Sequence, residues 1–380
     1  MSLYHPVFLL LLGGAAWECF RDRTPKWLLW GEFGLLTAML CLRYGQGSDY
    51  FSYGHIYYEL PANLFAAFGA KEIHGEWGWK TLCLLGRWLN MPYPAFILIL
   101  SLGMMGLFWR FLNRFCQKPL LALLLAWHTL YLTYFFSILR QGLAVAVFLG
   151  LLLGWLEERK TLRYFLGCLV CASFHSSALV LLILPLVRDL KWKTWHLLLL
   201  SGLAWAGGGL LATGVLHGIL SRILPGAVAN YLSEGSVSLG AIGERAVTYG
   251  VVLAAWFYRC RRENPPGERE RLLFGTVTAG FALYGALLWM PLVASRTAFL
   301  LKAAEIALFG SLLPKKGWPR WAVFGFCAGL AGLMHVKNLG SYLNHAAYFD
   351  WVTVWNYPYV TVFRPERIRN FLVPPYDYLP

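Results

Sequence analysis

The chain has 380 residues, of which 58% are hydrophobic and only 14% are charged, and its mean hydropathy is +0.53. A soluble domain has roughly 45–50% apolar and about 25% charged residues, so this composition excludes an ordinary soluble enzyme and a disordered chain. Apolar runs recur along the whole sequence, which excludes a single anchor on a soluble head, and they do not alternate as barrel strands do. The sequence therefore predicts an all-α polytopic integral membrane protein, forming one domain over residues 1–380.

The net charge of +14 arises from 33 basic against 19 acidic residues. Cytoplasmic basic loops explain such an excess in a membrane protein, and an anionic lipid or pyrophosphate ligand also explains it. Nucleic acid is excluded as a partner because there is no basic face on a soluble fold. The eight cysteines lie mostly in or beside apolar runs and the nine histidines are scattered. We therefore predict buried thiols, no metal site and no cofactor.

Apolar runs predict about 11–12 membrane spans, with soft boundaries. The predicted spans cover residues 4–20, 27–42, 92–109, 119–138, 141–156, 164–187, 196–213, 246–258, 272–290, 297–313 and 321–334.

Six basic connections separate these spans, and the positive-inside rule places all six in the cytoplasm. They cover residues 21–26, 110–118, 159–163, 188–193, 259–271 and 315–320. If each predicted span crosses the membrane once, the first three basic connections lie in the cytoplasm and the later ones lie outside. All six lie in the cytoplasm if the run 164–187 enters the membrane and returns to the same side as two half-helices. Its middle, Ala172-Ser-Phe-His175-Ser-Ser177, is the polar part of that run, so we predict a broken or re-entrant helix near His175. The alternative is that the loop 188–193 is an exception to a statistical rule.

The topology with this break places several ionisable groups together on the extracytoplasmic side. Three segments face this side: a first loop at 43–90 with an amphipathic part, a second loop at 216–245, and an aromatic-rich tail at 335–380. Ionisable groups that converge at one membrane face indicate a functional site. The converging residues are Arg43, Asp49, Arg140, Gln141, His175, Arg245 and Arg296.

Asp49 follows a Gly-Gln-Gly-Ser turn after the second span. A carboxylate in this position can act as a general base on a sugar hydroxyl. Alternatively, Asp49 caps the helix that begins at Tyr50.

Arg140 stands between two strongly apolar spans, where a cation is unfavourable unless it is paired. Its guanidinium can clamp a pyrophosphate with two parallel hydrogen bonds, or it can snorkel to the headgroups. Gln141 beside it could hold a phosphate or a sugar hydroxyl. His175 either bonds a neighbouring helix or donates to a phosphate.

Arg245 and Arg296 start later spans and fit an anion-binding rim as well as they fit snorkelling. The aromatic residues of the tail suit either sugar C–H edges or the membrane interface. The predicted sugar contacts are Tyr50, Tyr53, Trp351, Tyr357 and Tyr359.

Several blocks together resemble the EpsG-like family of exopolysaccharide polymerases. Arg43-Tyr-Gly-Gln-Gly-Ser-Asp49-Tyr50-Phe-Ser-Tyr53 resembles its RxGxGxDYxxY block, and Arg140-Gln-Gly-Leu-Ala resembles its RQxxA block. Phe174-His175-Ser-Ser-Ala is similar to its FHxSA block, Arg296 to its late arginine, and Tyr357-Pro-Tyr359 to its terminal PY. The blocks occur in the family's order and cover most of the chain.

The resemblance implies a Wzy-type polymerase of the bacterial inner membrane with a C-type membrane glycosyltransferase architecture. Such enzymes act on the outer face and transfer a growing glycan from undecaprenyl diphosphate to the non-reducing end of a lipid-linked repeat unit. The reaction inverts the anomeric centre and requires no metal. A Wzz-like chain-length regulator and a Wzx-like flippase are the implied partners.

Cations on the leaving diphosphate stabilise the transition state, and one base is sufficient for an inverting displacement. The predicted catalytic residues are Asp49 as base, His175 as donor or acid, and Arg140. The predicted diphosphate contacts are Arg43, Arg140, Gln141, Arg245 and Arg296.

Three other functions remain open on the sequence. An O-antigen ligase uses the same donor with a different acceptor, and only the family blocks favour the polymerase. A flippase or transporter would place polar residues along a central path, whereas here they gather at one face. A membrane O-acyltransferase would need a histidine reached from the cytoplasm, whereas His175 opens outward in the predicted topology.

Cysteine substitutions in a cysteine-free background test this topology with an impermeant thiol reagent added outside. Sites on the extracytoplasmic side should react, and sites beside the basic loops should not. The sites expected to react are Ser176, Ser233 and Ser341, and those expected to stay protected are Lys160, Lys191 and Lys316. Labelling at Lys191 from outside would mean that the helix near His175 is not broken as predicted.

Overall fold

The computed structural model describes residues 2–189, 193–213, 238–262 and 265–373. These residues form helices joined by short connections, with two isolated β-bridges and no named strand among them. The predicted all-α fold class is confirmed. Most of the predicted second loop, residues 216–237, lies outside the described residues.

Most of the helices follow the predicted apolar runs in chain order, and three shorter ones lie in the predicted first loop at residues 43–90. The helices are α1 (Tyr4–Arg21), α2 (Lys26–Leu42), α3 (Tyr50–Glu59), α4 (Leu64–Gly69), α5 (Trp77–Trp88), α6 (Tyr93–Phe115), α7 (Pro119–Phe135), α8 (Leu139–Glu157), α9 (Thr161–Phe174), α10 (Leu184–Asp189), α11 (Thr194–Ala212), α12 (Leu239–Arg262), α13 (Glu268–Ala286), α14 (Pro291–Lys302), α15 (Glu305–Leu312) and α16 (Trp318–Leu343).

Four of these helices are long and apolar enough to cross a membrane: α6, α8, α11 and α16. Two shorter apolar helices, α7 and α9, accompany them. The chain is thus a polytopic membrane protein, as its composition predicts.

The predicted break near His175 is confirmed. Helix α9 ends at Phe174, His175 lies outside any helix, and a 3₁₀ helix follows over Ser176–Ile183 before α10. The polar side chains of this stretch interrupt an otherwise apolar run.

Several boundaries differ from the sequence prediction; the run predicted at 246–258, for example, is a helix over Leu239–Arg262. The run 297–313 is divided between α14 and α15. Helix α16 continues to Leu343, so the predicted tail begins inside a helix. The polar residues His335 and Asn338 do not end α16, because both are buried and hydrogen-bonded to α7, Asn338 to the His128 carbonyl at 2.8 Å.

The chain packs as two compact units. The first consists of Met1–Leu151, Leu169–Ser176 and Phe324–Pro380, and the second of Leu152–Cys168 and Ser177–Val323.

A buried carboxylate determines where α7 begins in the first unit. Glu18, at the end of α1, is fully buried and accepts hydrogen bonds from the backbone amides of Leu120 and Leu121, both at 3.0 Å. The Thr24 hydroxyl donates to the same side chain. The first amides of a helix lack partners within it, and a negative charge there also suits the helix dipole. Glu18 therefore joins α1 to the N-terminus of α7.

Two helices of the first unit contain wide turns. Trp127–Phe135 in α7 and Phe148–Leu152 in α8 are π-helical. Such turns are rare in proteins, and those that occur are often found at functional sites. They flank Arg140, which lies in the first turn of α8.

Replacing Glu18 with alanine should destabilise the protein. The substitution leaves two buried amides without an acceptor, which costs on the order of 1–3 kcal/mol. The measurement is the unfolding midpoint of the purified protein in detergent, with Glu59→Ala as the control because Glu59 is exposed. Equal midpoints for both variants would contradict the capping role.

Candidate active site

The turn between α2 and α3 is set by two glycines. Gly45 and Gly47 have φ of +67° and +95°, a region that favours glycine. A Cβ on Gly47 would lie 2.4 Å from the Phe136 carbonyl oxygen, and the Ser48 amide donates to the Ser137 hydroxyl at 3.2 Å. The turn therefore lies directly on the backbone that connects α7 to α8.

Asp49 immediately precedes α3 and is half-buried. Its side chain makes no capping hydrogen bond to α3, so the helix-cap alternative does not describe it. Over the residues that the structure describes, its carboxylate has neither a hydrogen bond nor an ion pair. The carboxylate is thus held by the backbone of the turn and is left open for chemistry.

Arg140 is 7% exposed and forms an ion pair with Glu76, with 2.5 Å between Nη1 and Oε2. The other oxygen of Glu76 accepts a hydrogen bond of 2.9 Å from the Ser176 amide, just after the helix break. The guanidinium also lies close enough to the Tyr53 hydroxyl to interact with it electrostatically, while its Nε is buried with no hydrogen-bond partner. The three family blocks therefore meet at one place, with Asp49 one helical turn before Tyr53.

The electrostatics keep Glu76 ionised. Burial raises the pKa of the Glu76 carboxyl, but the Ser176 amide and the Arg140 charge outweigh it, and the pKa lies below its usual range. Burial raises the pKa of the Tyr53 hydroxyl, and the Arg140 charge only partly offsets this. The site thus holds a carboxylate, a guanidinium and a protonated phenol.

Sequence reasoning missed Glu76. It lies in the first loop directly before α5, and spacing relates it to none of the family blocks. The only signal available was general, that a buried arginine between apolar spans requires an anionic partner.

Arg43, which was predicted to contact the diphosphate, is enclosed by protein. It is fully buried, and its guanidinium donates to the Leu40 carbonyl, to the Ser101 hydroxyl at 3.2 Å and to the Phe135 carbonyl at 3.1 Å. These contacts tie α2 to α6 and α7, because carbonyls at helix ends lack partners within their own helices.

Two other residues of the family blocks are also buried. Gln141 is fully enclosed in α8, and His175 is 6% exposed at the helix break. His175 lies near enough to Glu76 to interact with it electrostatically.

The predicted sugar contacts separate into packed and exposed residues. Tyr50 packs edge-on against Tyr93, with ring centroids 5.3 Å apart. Tyr357 is fully buried, and the Tyr359 hydroxyl donates to the Met39 carbonyl at 2.9 Å. Trp351 is 54% exposed and could meet a sugar in this structure.

The tail is attached to the Asp49 block by backbone hydrogen bonds. The Tyr44 amide donates to the Val360 carbonyl and the Val362 amide to the Leu42 carbonyl, both at 2.9 Å. The tail thus holds the backbone just before the Asp49 turn in place.

A second attachment of the tail uses two histidines. The Trp127 indole donates to Nδ1 of His335 at 3.1 Å, which leaves Nε2 of His335 to face Nδ1 of His5 at 2.9 Å. Nε2 of His5 lies 3.1 Å from the Val354 carbonyl. This chain of contacts is complete when both rings are neutral and each donates from Nε2.

Arg245 and Arg296 belong to the second unit. Arg245 lies 3.9 Å from the ring centroid of Tyr284 and donates to the Ala241 carbonyl at 3.2 Å, whereas Arg296 is exposed. Near Arg245, Lys302 pairs with Glu244 at 2.5 Å beside a cavity of about 20 Å³, which has room for a water molecule.

The EpsG family model matches residues 26–352. The chain belongs to the EpsG family. This confirms the resemblance carried by the sequence blocks and makes the chain a membrane protein related to polysaccharide polymerases. The matched range includes Asp49, Arg140, His175 and Arg296 but ends before Tyr357. No curated protein and no solved structure matches the chain.

Replacing Gly47 with alanine should disrupt the turn between α2 and α3. The positive φ and the Phe136 carbonyl both oppose a Cβ, so the loss of stability should exceed about 1 kcal/mol. Gly34→Ala is the matched control, because a Cβ there meets nothing within 4 Å. The unfolding midpoint should fall for Gly47→Ala alone, and a normal midpoint would show that the turn does not require glycine.

Proposed function

We propose that this EpsG-family chain is a polysaccharide polymerase of the bacterial inner membrane. It transfers a growing glycan from undecaprenyl diphosphate to the non-reducing end of a lipid-linked repeat unit, at the outer membrane face. The observation that carries this proposal is that Arg140 pairs with Glu76 next to Tyr53. Asp49, one helical turn before Tyr53, has no hydrogen bond or ion pair through its carboxylate among the described residues.

Arg140 is suited to stabilise the diphosphate as it leaves. As the glycosyl bond to the diphosphate breaks, its electron pair remains on the diphosphate oxygen, which gains negative charge. A positioned cation in a dry environment stabilises that charge strongly. The buried Nε–H of Arg140, which lacks a partner, is a donor that a phosphate oxygen would satisfy.

Asp49 is suited to act as the general base. The acceptor hydroxyl forms the new bond at the anomeric carbon and transfers its proton to a carboxylate. Glu76 is unsuited to this task because both of its oxygens already accept hydrogen bonds. Asp49 has no such engagement over the described ranges of the chain, so its oxygens are open to an incoming hydroxyl.

His175, which lies at the helix break, is suited to donate a hydrogen bond to the diphosphate. Its buried position beside Glu76 places an imidazole near the Arg140 guanidinium. We further propose that a Wzx-like flippase supplies the repeat units and that a Wzz-like partner limits chain length.

Arg140→Lys should slow polymerisation although the charge is retained. A lysine cannot contact Glu76 and a phosphate oxygen through a planar fork, and losing one charge-assisted hydrogen bond costs about 2–3 kcal/mol, or roughly 30- to 150-fold in rate. Asp49→Asn should bind the donor normally but stop chain growth. The measurement is glycan laddering from lipid-linked repeat units by purified protein in detergent.

The matched controls are Arg110→Lys and Asp350→Asn, two exposed residues of the same types. Both should give normal ladders. Normal ladders from Asp49→Asn would contradict the role of Asp49 as the base. Wild-type rates from Arg140→Lys would contradict the role of Arg140 in binding the diphosphate.

A further inference from the structure

The structure contains one charged group beside the candidate reaction centre that the proposed chemistry does not use. Glu76 contacts two different segments through its two oxygens, Arg140 through Oε2 and the Ser176 amide through Oε1. Resting on the proposed function, we propose that Glu76 is a positioning residue, which orients the Arg140 guanidinium toward the donor diphosphate and fixes the helix break at His175.

Rigid packing around Glu76 fits this role. A Cβ on Gly78 would lie 2.2 Å from the Ser173 hydroxyl, so α5 and α9 approach closely just beyond Glu76. Trp79 is fully buried and packs against Tyr53, with ring centroids 5.2 Å apart. The carboxylate is therefore held by two elements that cannot shift easily.

The geometry of the guanidinium indicates the direction of its free edge. Glu76 occupies Nη1 of Arg140, which lies on the side of the group away from the Nε–H. Nε is buried without a hydrogen-bond partner in the structure. A phosphate oxygen would meet the Nε edge, while Glu76 prevents the guanidinium from rotating.

The charge of Glu76 opposes the charge of the ligand. Removing it should make the site more attractive to an anion while leaving Arg140 less well oriented. A positioning role therefore predicts opposite effects on binding and on rate. A merely structural role would lower the amount of active enzyme and would not change affinity.

Glu76→Gln tests this prediction, because a side-chain amide must place its NH₂ group against either Arg140 or the Ser176 amide, both of which are donors. The kcat for polymerisation should fall at least tenfold, while the KM for the lipid-linked donor and the Kd for undecaprenyl diphosphate should both fall. Glu76→Asp keeps the charge with a shorter reach, so its kcat should be intermediate. The matched control is Glu72→Gln, an exposed acid in the same loop, which should behave as wild type.

Combining Glu76→Gln with Arg140→Lys separates the two roles further. If Glu76 acts through Arg140, the double variant should be no slower than Arg140→Lys alone. The inference would be overturned if the rate losses of the two substitutions multiplied in the double variant. It would also be overturned if Glu76→Gln left the KM and Kd unchanged or raised them. If the wild-type protein makes no polymer and binds no undecaprenyl diphosphate, the proposed function itself fails, which is a distinct outcome.

Discussion

The ion pair between Arg140 and Glu76 is the interaction on which the site depends. A guanidinium in the first turn of an apolar helix is strongly unfavourable without an anionic partner, and removing one member of a buried pair leaves an uncompensated charge. Because Glu76 also accepts a hydrogen bond from the Ser176 amide, the same carboxylate connects the first loop, the start of α8 and the break at His175. Electrostatic pairing in an apolar environment thus assembles three distant segments into one site.

Backbone constraints fix the turn that carries Asp49. The turn before Asp49 has no room for a side chain at Gly47, and the tail forms backbone hydrogen bonds with the residues around Arg43. The terminal nitrogens of the Arg43 guanidinium join α2 to α6 and α7. Arg43 and the tail therefore stabilise the backbone around the turn that carries Asp49.

In the second unit, cations in apolar helices are compensated by carboxylates and by an aromatic ring. Lys302 lies close to two carboxylates, those of Glu244 and Glu305, and Arg245 stacks over Tyr284. Each cation has an anion or an aromatic face nearby, as expected for charges in helices that are otherwise apolar. Arg245 thus has an aromatic and a carbonyl partner within its own unit.

Apolar periodicity and the distribution of basic loops determined the helical membrane class, the helix order and the break at His175, because these depend on local composition and on the cost of charge in lipid. The order of the blocks also determined the family and indicated that Asp49, Arg140 and His175 converge. The partner of Arg140 was decided by the tertiary structure, since Glu76 is 64 residues away and belongs to no block. The burial of Arg43 and the packing of Tyr357 were likewise decided there. A linear pattern places a polar residue near a helix end, but only the packing of helices determines whether that residue faces a ligand or a neighbouring carbonyl.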